Sequence, residues 1–266
     1  MAVYQIDEVG GWDRNLLVDV VIPVLNEAHV LGKSVATVRQ FLSESLPCRW
    51  RVVVVDNGST DGTDRVAKDL AAAHDDVRFL QLPQRGRGRA LRQSWSQSDA
   101  DVMCYTDVDL STELAALPKM VHSIVVDGYD LATGSRLLPD SRTTRSFKRE
   151  FISRSYNLFI KAVLWTSFSD AQCGFKAISR AAMADLIPQV EDQGWFFDTE
   201  LLVLAEKRGY TIADIPVQWL EDDDSRVKIV KTAWDDIKGV GRVRLKLWKE
   251  MFSPGAATAR AVPRRP

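Results

Sequence analysis

Four short runs of β-branched and aliphatic residues recur through the first half of the chain: Leu17–Val24 (LVDVVIPV), Arg51–Val55 (RVVVV), Val77–Leu82 and Val102–Thr106. Between them, Glu27–Leu42, Asp61–Ala73, Ala90–Ser96 and Glu113–Val126 have helical composition and spacing. Near-continuous apolar strands belong in a sheet covered on both faces. Strands alternating with helices imply βαβ units with right-handed crossovers, hence an α/β fold with an open, doubly wound, mostly parallel sheet. Ligands of such sheets bind beyond the carboxyl ends of the strands. The unusual residues of this chain all fall there.

After Asp130 the alternation loosens. Leu131–Thr133 reads as a strand, Lys148–Leu164 as a helix, Phe197–Lys207 as a helix that opens with Asp198 and stops at Gly209, and Ile212–Trp219 as a strand. No linker separates two cores, so 17–225 is expected to be one domain. Residues 1–16 read as an extension, 226–250 as basic amphipathic helices and 251–266 as a frayed tail. The length, 266 residues with 45% apolar and 27% charged, supports a sizeable core and excludes a disordered chain. Thirty-five basic against 36 acidic residues leave a net charge of −1, so no overall field draws nucleic acid. Three dispersed cysteines and three dispersed histidines offer no zinc-ligand spacing. No apolar run reaches the roughly 18 residues of a membrane span, and MAVYQIDEVGGWDRN does not have the form of a signal peptide. These features suit a cytoplasmic chain.

The carboxylates come first. Asp107-Val108-Asp109 follows the fourth strand, and on extended backbone residues two apart face one way. Two such acids either stand solvated in a polar loop or hold a hard cation such as Mg²⁺, which prefers one or two carboxylates plus substrate phosphates. Asp56 leaves the second strand into Asn-Gly-Ser-Thr-Asp-Gly-Thr, a tight turn in which Ser59 or Thr60 could cap the next helix. Asp56 itself suits hydrogen bonding to a nucleotide's base or ribose, and Pro23-Val-Leu-Asn26-Glu27 leaves the first strand beside it. Arg85-Gly-Arg87-Gly-Arg89 opens a helix whose N-terminus favours anions, although its spacing matches neither the Walker nor the dinucleotide glycine pattern.

A second basic set comprises Arg136 in TGSR, Lys176 in QCGFK, and Arg226 and Lys228 in DSRVK. Residues 145–165 carry five basic residues and one acid interleaved with aromatics, and 226–249 carry eight basic and two acidic residues interleaved with Trp and Leu. Each helix alone is explained by a core-facing stripe. The two together with the basic cluster suit an anionic membrane surface.

The pieces VVIPVLNE, VVVVDNGSTDGT, GRGRAL, YTDVDLS, TGSR, DAQCGFKA, FDTELL and IPVQW, in that order over residues 18–230, resemble glycosyltransferase family 2. Within it they are similar to the polyprenyl-phosphate sugar synthases, those making dolichyl-phosphate mannose and glucose. The resemblance implies a GT-A fold, a nucleotide-sugar donor, Mg²⁺ or Mn²⁺, and a polyprenyl monophosphate acceptor. It implies that Pro23, Asn26, Glu27 and Asp56 hold the nucleoside, and that Asp107 and Asp109 hold the metal and diphosphate with Val108, Ser111 and Arg87 alongside. It further implies that Arg136, Lys176, Arg226 and Lys228 hold phosphates, and that Asp170 lies near the sugar in the place of a suspected base. Asn57, Ser111 and Arg87 stand where relatives often have Asp, Gln and Lys. DAQCGFKA is closer to the glucose-type synthases, which favours UDP-glucose over GDP-mannose or UDP-N-acetylhexosamine. Relatives often carry membrane helices that this chain lacks, so it would be peripheral on the cytoplasmic face or use a separate membrane partner. The rival readings are a family 2 transferase with a soluble or glycan acceptor, a nucleotidyltransferase, and a non-catalytic membrane-associated scaffold.

Overall fold

The structure, a computed structural model, describes residues 12–144, 147–220 and 229–252, with the side chains of 147–149, 229–233 and 251–252 excepted. Its strands are β1 (Leu17–Val24), β2 (Arg49–Asn57), β3 (Val77–Leu82), β4 (Val102–Thr106), β5 (Leu131–Ser135), β6 (Arg142–Thr144), β7 (Phe175–Ser179), β8 (Ile212–Pro216) and β9 (Gln218–Leu220). Its helices are α1 (Ala28–Ser45), α2 (Thr63–Ala73), α3 (Arg87–Gln97), α4 (Leu117–Val125, preceded by a 3₁₀ turn at Leu114–Ala116), α5 (Phe147–Leu164), α6 (Arg180–Leu186), α7 (Phe197–Lys207) and α8 (Ile229–Phe252). Seven strands form one sheet in the order β3-β2-β1-β4-β7-β5-β8, and β6 pairs with β9 apart from it.

Alternate residues of the central strands feed two cores. Val18, Val20, Ile22 and Val24 of β1 face Leu31, Val35 and Val38 of α1 and Leu117 and Val121 of α4, whereas Leu17 and Val21 face the side of α3, α5, α6, α7 and α8. A strand buried on both faces has no polar side to spare, which explains its uninterrupted apolar sequence. Each fully buried aliphatic side chain contributes about 1.5–3 kcal/mol, so these strands anchor the sheet.

Strand β7 runs antiparallel between β4 and β5, with Lys176 opposite both Tyr105 and Thr133. The amino end of β7 therefore lies at the carboxyl ends of β4 and β5. Asp107 after β4, Asp170–Gly174 before β7 and Arg136 after β5 meet at one sheet edge, beside the loops that follow β1 and β2.

Three expectations need correction. Ile212–Trp219 is two strands, because the chain leaves the main sheet at Pro216 and β9 pairs with β6. Asp107 and Asp109 lie on a turn rather than on extended backbone: β4 ends at Thr106, Leu110 N–H donates to Asp107 O at 3.2 Å, and Leu110 has a φ of 53°. The basic helix is a single one, Ile229–Phe252. Residues 1–11 of the expected extension, Arg226, Lys228 and the tail from 253 lie outside the described residues.

Candidate active site

The loops after β1 and β2 are cross-stitched. Asn26 N–H donates to Ser59 Oγ at 2.8 Å, Thr60 N–H donates to Asn26 Oδ1 at 2.8 Å, and Glu27 N–H donates to Thr63 Oγ1 at 2.9 Å. Asn26 adopts a φ of 58°, a left-handed conformation that Asn tolerates better than most residues. Ser59 and Thr60 thus tie the two loops together, and the position preceding α2 is taken by Gly62 rather than by either of them. Asn57 continues the stitching, donating to Val24 O at 2.7 Å and accepting from Gly86 N–H at 3.1 Å. Pro23 sits opposite Val55 in the ladder, and Asp56, the penultimate residue of β2, sits opposite Val24. The Asp56 side chain is wholly buried. Its Oδ1 accepts from Ser59 N–H at 3.1 Å, and its Oδ2 has no hydrogen-bond partner among the described residues. A buried carboxylate oxygen without a donor is costly, and a ligand N–H or O–H would relieve it.

Beside these loops stands an ionic hub. Arg87 donates to Asp107 Oδ1 at 2.7 Å and to Asp198 Oδ2 at 2.6 Å, and its guanidinium lies between the rings of Tyr105 (4.9 Å) and Trp195 (5.0 Å). The Tyr105 hydroxyl donates to Asp198 Oδ1. Lys176, 1% exposed, approaches the same carboxylate at 3.6 Å and donates to Cys173 O at 2.6 Å. Lys176 is therefore placed beneath the site, where it braces the 171–173 turn and Asp198, and its amino group does not face solvent. Asp198, read from sequence only as the opening of a helix, is the buried centre of this network. Burial pushes the Asp107 carboxyl above its usual range, Arg87 pulls it down, and the nearby charge of Asp109 raises it again.

Gly174 has a specific task here. A Cβ at that position would collide with the Asp107 carboxylate and come within 2.8 Å of the Arg87 guanidinium. Gly86, with a φ of 146°, and Gly88 similarly let the 192–194 loop lie against the start of α3, where Gly194 O and Gln193 O accept the N–H groups of Gly88 and Arg89 at 3.1 Å each. The expected anion site at this helix N-terminus is thus partly occupied by protein carbonyls. What the segment offers instead is the Arg87 side chain.

On β5's side of the hub, Arg136 makes a two-pronged pair with Asp170, Nε to Oδ2 at 2.7 Å and Nη2 to Oδ1 at 3.0 Å, reinforced by the Arg136 N–H. Gln172 N–H adds a donor to Asp170 Oδ1 at 3.1 Å. Burial raises the Asp170 carboxyl, but the charge and hydrogen bonds of Arg136 outweigh it and hold the group down at about 2. A wholly buried, fully bonded carboxylate is not poised to accept a proton. Asp170 holds the Arg136 guanidinium in place through both of its oxygens.

Asp109 is exposed, its Oδ1 accepting from Ser111 N–H at 3.0 Å, and Val108 O accepts from Ser34 at 2.6 Å, so the acid turn is pinned to α1. Among the described residues no group of three or more His, Cys, Asp or Glu could hold a metal unaided. Asp107 and Asp109 fit a hard cation that takes its remaining oxygens from a diphosphate and water.

The family model described as Glycosyl transferase family 2 matches residues 19–187. Glycosyltransferase AglD of Haloferax volcanii is 38% identical over 236 residues, and the alignment spans 88% of this chain but only 37% of that protein. Dolichyl-phosphate beta-glucosyltransferase ALG5C of Trichomonas vaginalis is 31% identical over 86% of this chain and 72% of its own length. Among solved structures, glucosyl-3-phosphoglycerate synthase from Mycobacterium tuberculosis, crystallised with Mn²⁺, uridine diphosphate and phosphoglyceric acid, superposes with a TM-score of 0.64 at 18% identity, covering 87% of this chain and 78% of that one. That likeness identifies the architecture as a single GT-A domain. The chain is a glycosyltransferase and belongs to glycosyl transferase family 2.

Proposed function

We propose that this protein transfers glucose from UDP-glucose to a polyprenyl monophosphate at the cytoplasmic face of a membrane, giving a β-linked lipid-phosphate sugar. The nucleoside would lie on the stitched loops of β1 and β2, with Pro23, Asn26 and Glu27 around it and its donor groups on the orphaned Asp56 Oδ2. Asp107 and Asp109 would hold Mn²⁺ or Mg²⁺, which supplies charge neutralisation at the departing diphosphate. Arg87 is near enough to Asp107 to reach the same diphosphate. Arg136, oriented by Asp170, would present its remaining donors to the acceptor phosphate, and Arg226 and Lys228 are assigned to the same anions. A phosphate monoester has a second pKa near 6, so its oxygen attacks largely ionised and needs no protein base. The bonded state of Asp170 agrees with this. Direct displacement inverts the anomeric carbon.

The observation that carries the lipid part is the outer face of α5 and α8. Phe151, Ile152, Leu158 and Phe159 on α5, Trp165 just after it, and Trp234, Ile237, Leu245 and Trp248 on α8 are exposed. Helix α8 faces the core with Val240 and Val243, so its outer apolar stripe is not required by the core. Arg244 lies 4.3 Å from the Trp165 ring and Lys238 lies 5.5 Å from Trp234, while Arg154 and Lys161 flank the α5 side. Apolar aromatics rimmed by cations complement an anionic bilayer, and a lipid acceptor requires such a surface. Incubating the protein with Mn²⁺, a short polyprenyl monophosphate and a panel of nucleotide sugars, then analysing the lipid by mass spectrometry, tests the reading. A hexosyl-phosphoryl lipid from UDP-glucose that disappears in Asp109→Ala is expected. Donor hydrolysis without lipid product would discard the acceptor assignment.

A further inference from the structure

Among the described residues three other than glycine adopt a left-handed backbone: Asn26, Leu110 and Trp165. Asn26 and Leu110 belong to the stitched loops and the acid turn of the catalytic edge. Trp165, directly after α5, has a φ of 51° and no part in that edge. A bulky side chain is an outlier there, because its Cβ crowds the neighbouring carbonyl, and helix ends of this kind ordinarily take glycine. The same chain uses glycine after two other helices, Gly128 (φ 78°) after α4 and Gly209 (φ 80°) after α7. The end of α7 holds the unusual turn in place. Lys207 Nζ donates to Trp165 O at 2.7 Å, and Ser167 N–H donates to Glu206 Oε2 at 2.8 Å. Strain that the surroundings over-determine in this way points to a use for the side chain.

Core packing is not that use, since Trp165 is 67% exposed. Its ring instead carries the Arg244 guanidinium at 4.3 Å, and Arg244 has no carboxylate partner among the described residues. Arg242, two residues earlier, is spent inwards on Glu200 and Asp192. A guanidinium stacked on an indole keeps its N–H fork open at the edge, and that fork matches two oxygens of one phosphate. The indole, apolar in body with one N–H, suits the boundary between acyl chains and headgroups. A second copy of the chain would bring the same unpaired cation to the contact, whereas an anionic bilayer neutralises it.

Resting on the membrane reading above, we propose that Trp165 and Arg244 form a headgroup site for an anionic phospholipid, separate from the acceptor's site. The indole enters the interface and the guanidinium takes the headgroup phosphate in two hydrogen bonds. Trp165 stands five residues before Asp170, a span of at most about 18 Å of extended chain. A bilayer surface that fills this site therefore also lies near Arg136, the partner of Asp170.

Co-sedimentation with phosphatidylcholine vesicles, with and without phosphatidylglycerol, tests this beside urea denaturation. Trp165→Gly should bind the anionic vesicles roughly tenfold more weakly, the order expected for one large apolar side chain. Its urea midpoint should stay equal or rise, because glycine relieves the backbone. Trp165→Phe should keep binding within about threefold, since an aromatic ring remains. Arg244→Gln should lower the preference for anionic over neutral vesicles about fivefold, the worth of one cation at such a surface. Undiminished binding by Trp165→Gly overturns the proposal, and a lowered midpoint overturns it by making the indole a packing residue. Loss of self-association in sedimentation velocity, with vesicle binding intact, overturns it in favour of a second copy. Failure of the unaltered chain to bind anionic vesicles overturns the membrane reading, and this inference with it.

Discussion

At the scale of single residues, the site is governed by what its charges are already bonded to. Asp170 owes its ionised state to Arg136, so Arg136→Ala should destabilise the fold by about 3–5 kcal/mol, the cost of leaving a buried charge unpaired. Urea denaturation measures it, and Arg136→Ala/Asp170→Ala should recover much of the loss. The same pair sets a pH dependence. The folded carboxyl, at about 2, lies below its usual 3.8, so its stabilisation is complete above about pH 4 and is lost as pH falls towards 2. Asp236 behaves oppositely. Burial, aided by Asp192 and Asp235 against the Tyr156 and Gln172 hydrogen bonds, raises it from 3.8 to about 6. Its contribution is therefore present below about pH 4 and is lost as pH rises through 6. Asp236→Asn should flatten the stability profile between pH 4 and 7 by up to about 3 kcal/mol, converting the shift at 1.36 kcal/mol per unit. Gly174→Ala should leave the far-ultraviolet spectrum intact while lowering turnover at least about tenfold, because the added methyl displaces Asp107; a barrier rise of only 1.4 kcal/mol suffices for that.

Residues that leave an apolar strand as isolated polar groups were legible in the sequence, among them Asp56, Asp107 and Asp109. Asp198, Tyr105 and Trp195 were not. Each lies in an apolar-looking stretch, and its importance comes from partners 93 residues distant for Tyr105 and 111 for Arg87. The motif FDTELL marked the place without indicating that its acid is the buried counter-ion of two cations. Lys176 shows the same limit: the motif QCGFK offers a cation, and only the sheet register shows that its ammonium is turned to Asp198 and the Cys173 carbonyl.

At the scale of elements, β1, β3, β4 and α7 are found at their expected bounds because continuous apolar runs and a glycine stop signal leave little choice. Strands β6 and β7 escaped because neither has an apolar run, and β9 was merged with β8 because no turn signal but Pro216 parts them. FKAIS tolerates a buried lysine by giving its ammonium the carbonyls of the preceding turn and the Asp198 carboxylate. Helix α8 was legible as basic and periodic, but its two opposed apolar faces became evident only once the core had claimed one of them. Replacing Trp234 and Trp248 together by glutamate should sharply reduce co-sedimentation with anionic vesicles while leaving UDP affinity unchanged. Equal sedimentation of both forms would remove the membrane role of this face.

For the molecule as a whole, strand order determines when the site can exist. The stitched loops of β1 and β2 and the acid turn after β4 require only the first 110 or so residues. The strand that packs against β4 on its other side begins 69 residues after β4 ends, at Phe175 against Thr106. At a ribosomal rate of roughly 5–20 residues per second, β4 stays an open sheet edge for about 3–14 seconds. During that interval Asp107 has neither Gly174 over it nor Asp198 to share Arg87. Nascent chains stalled near residue 140 should therefore present a protease-resistant parallel half-sheet that captures β-rich partners, a transient vulnerability that ends when β7 slots into place.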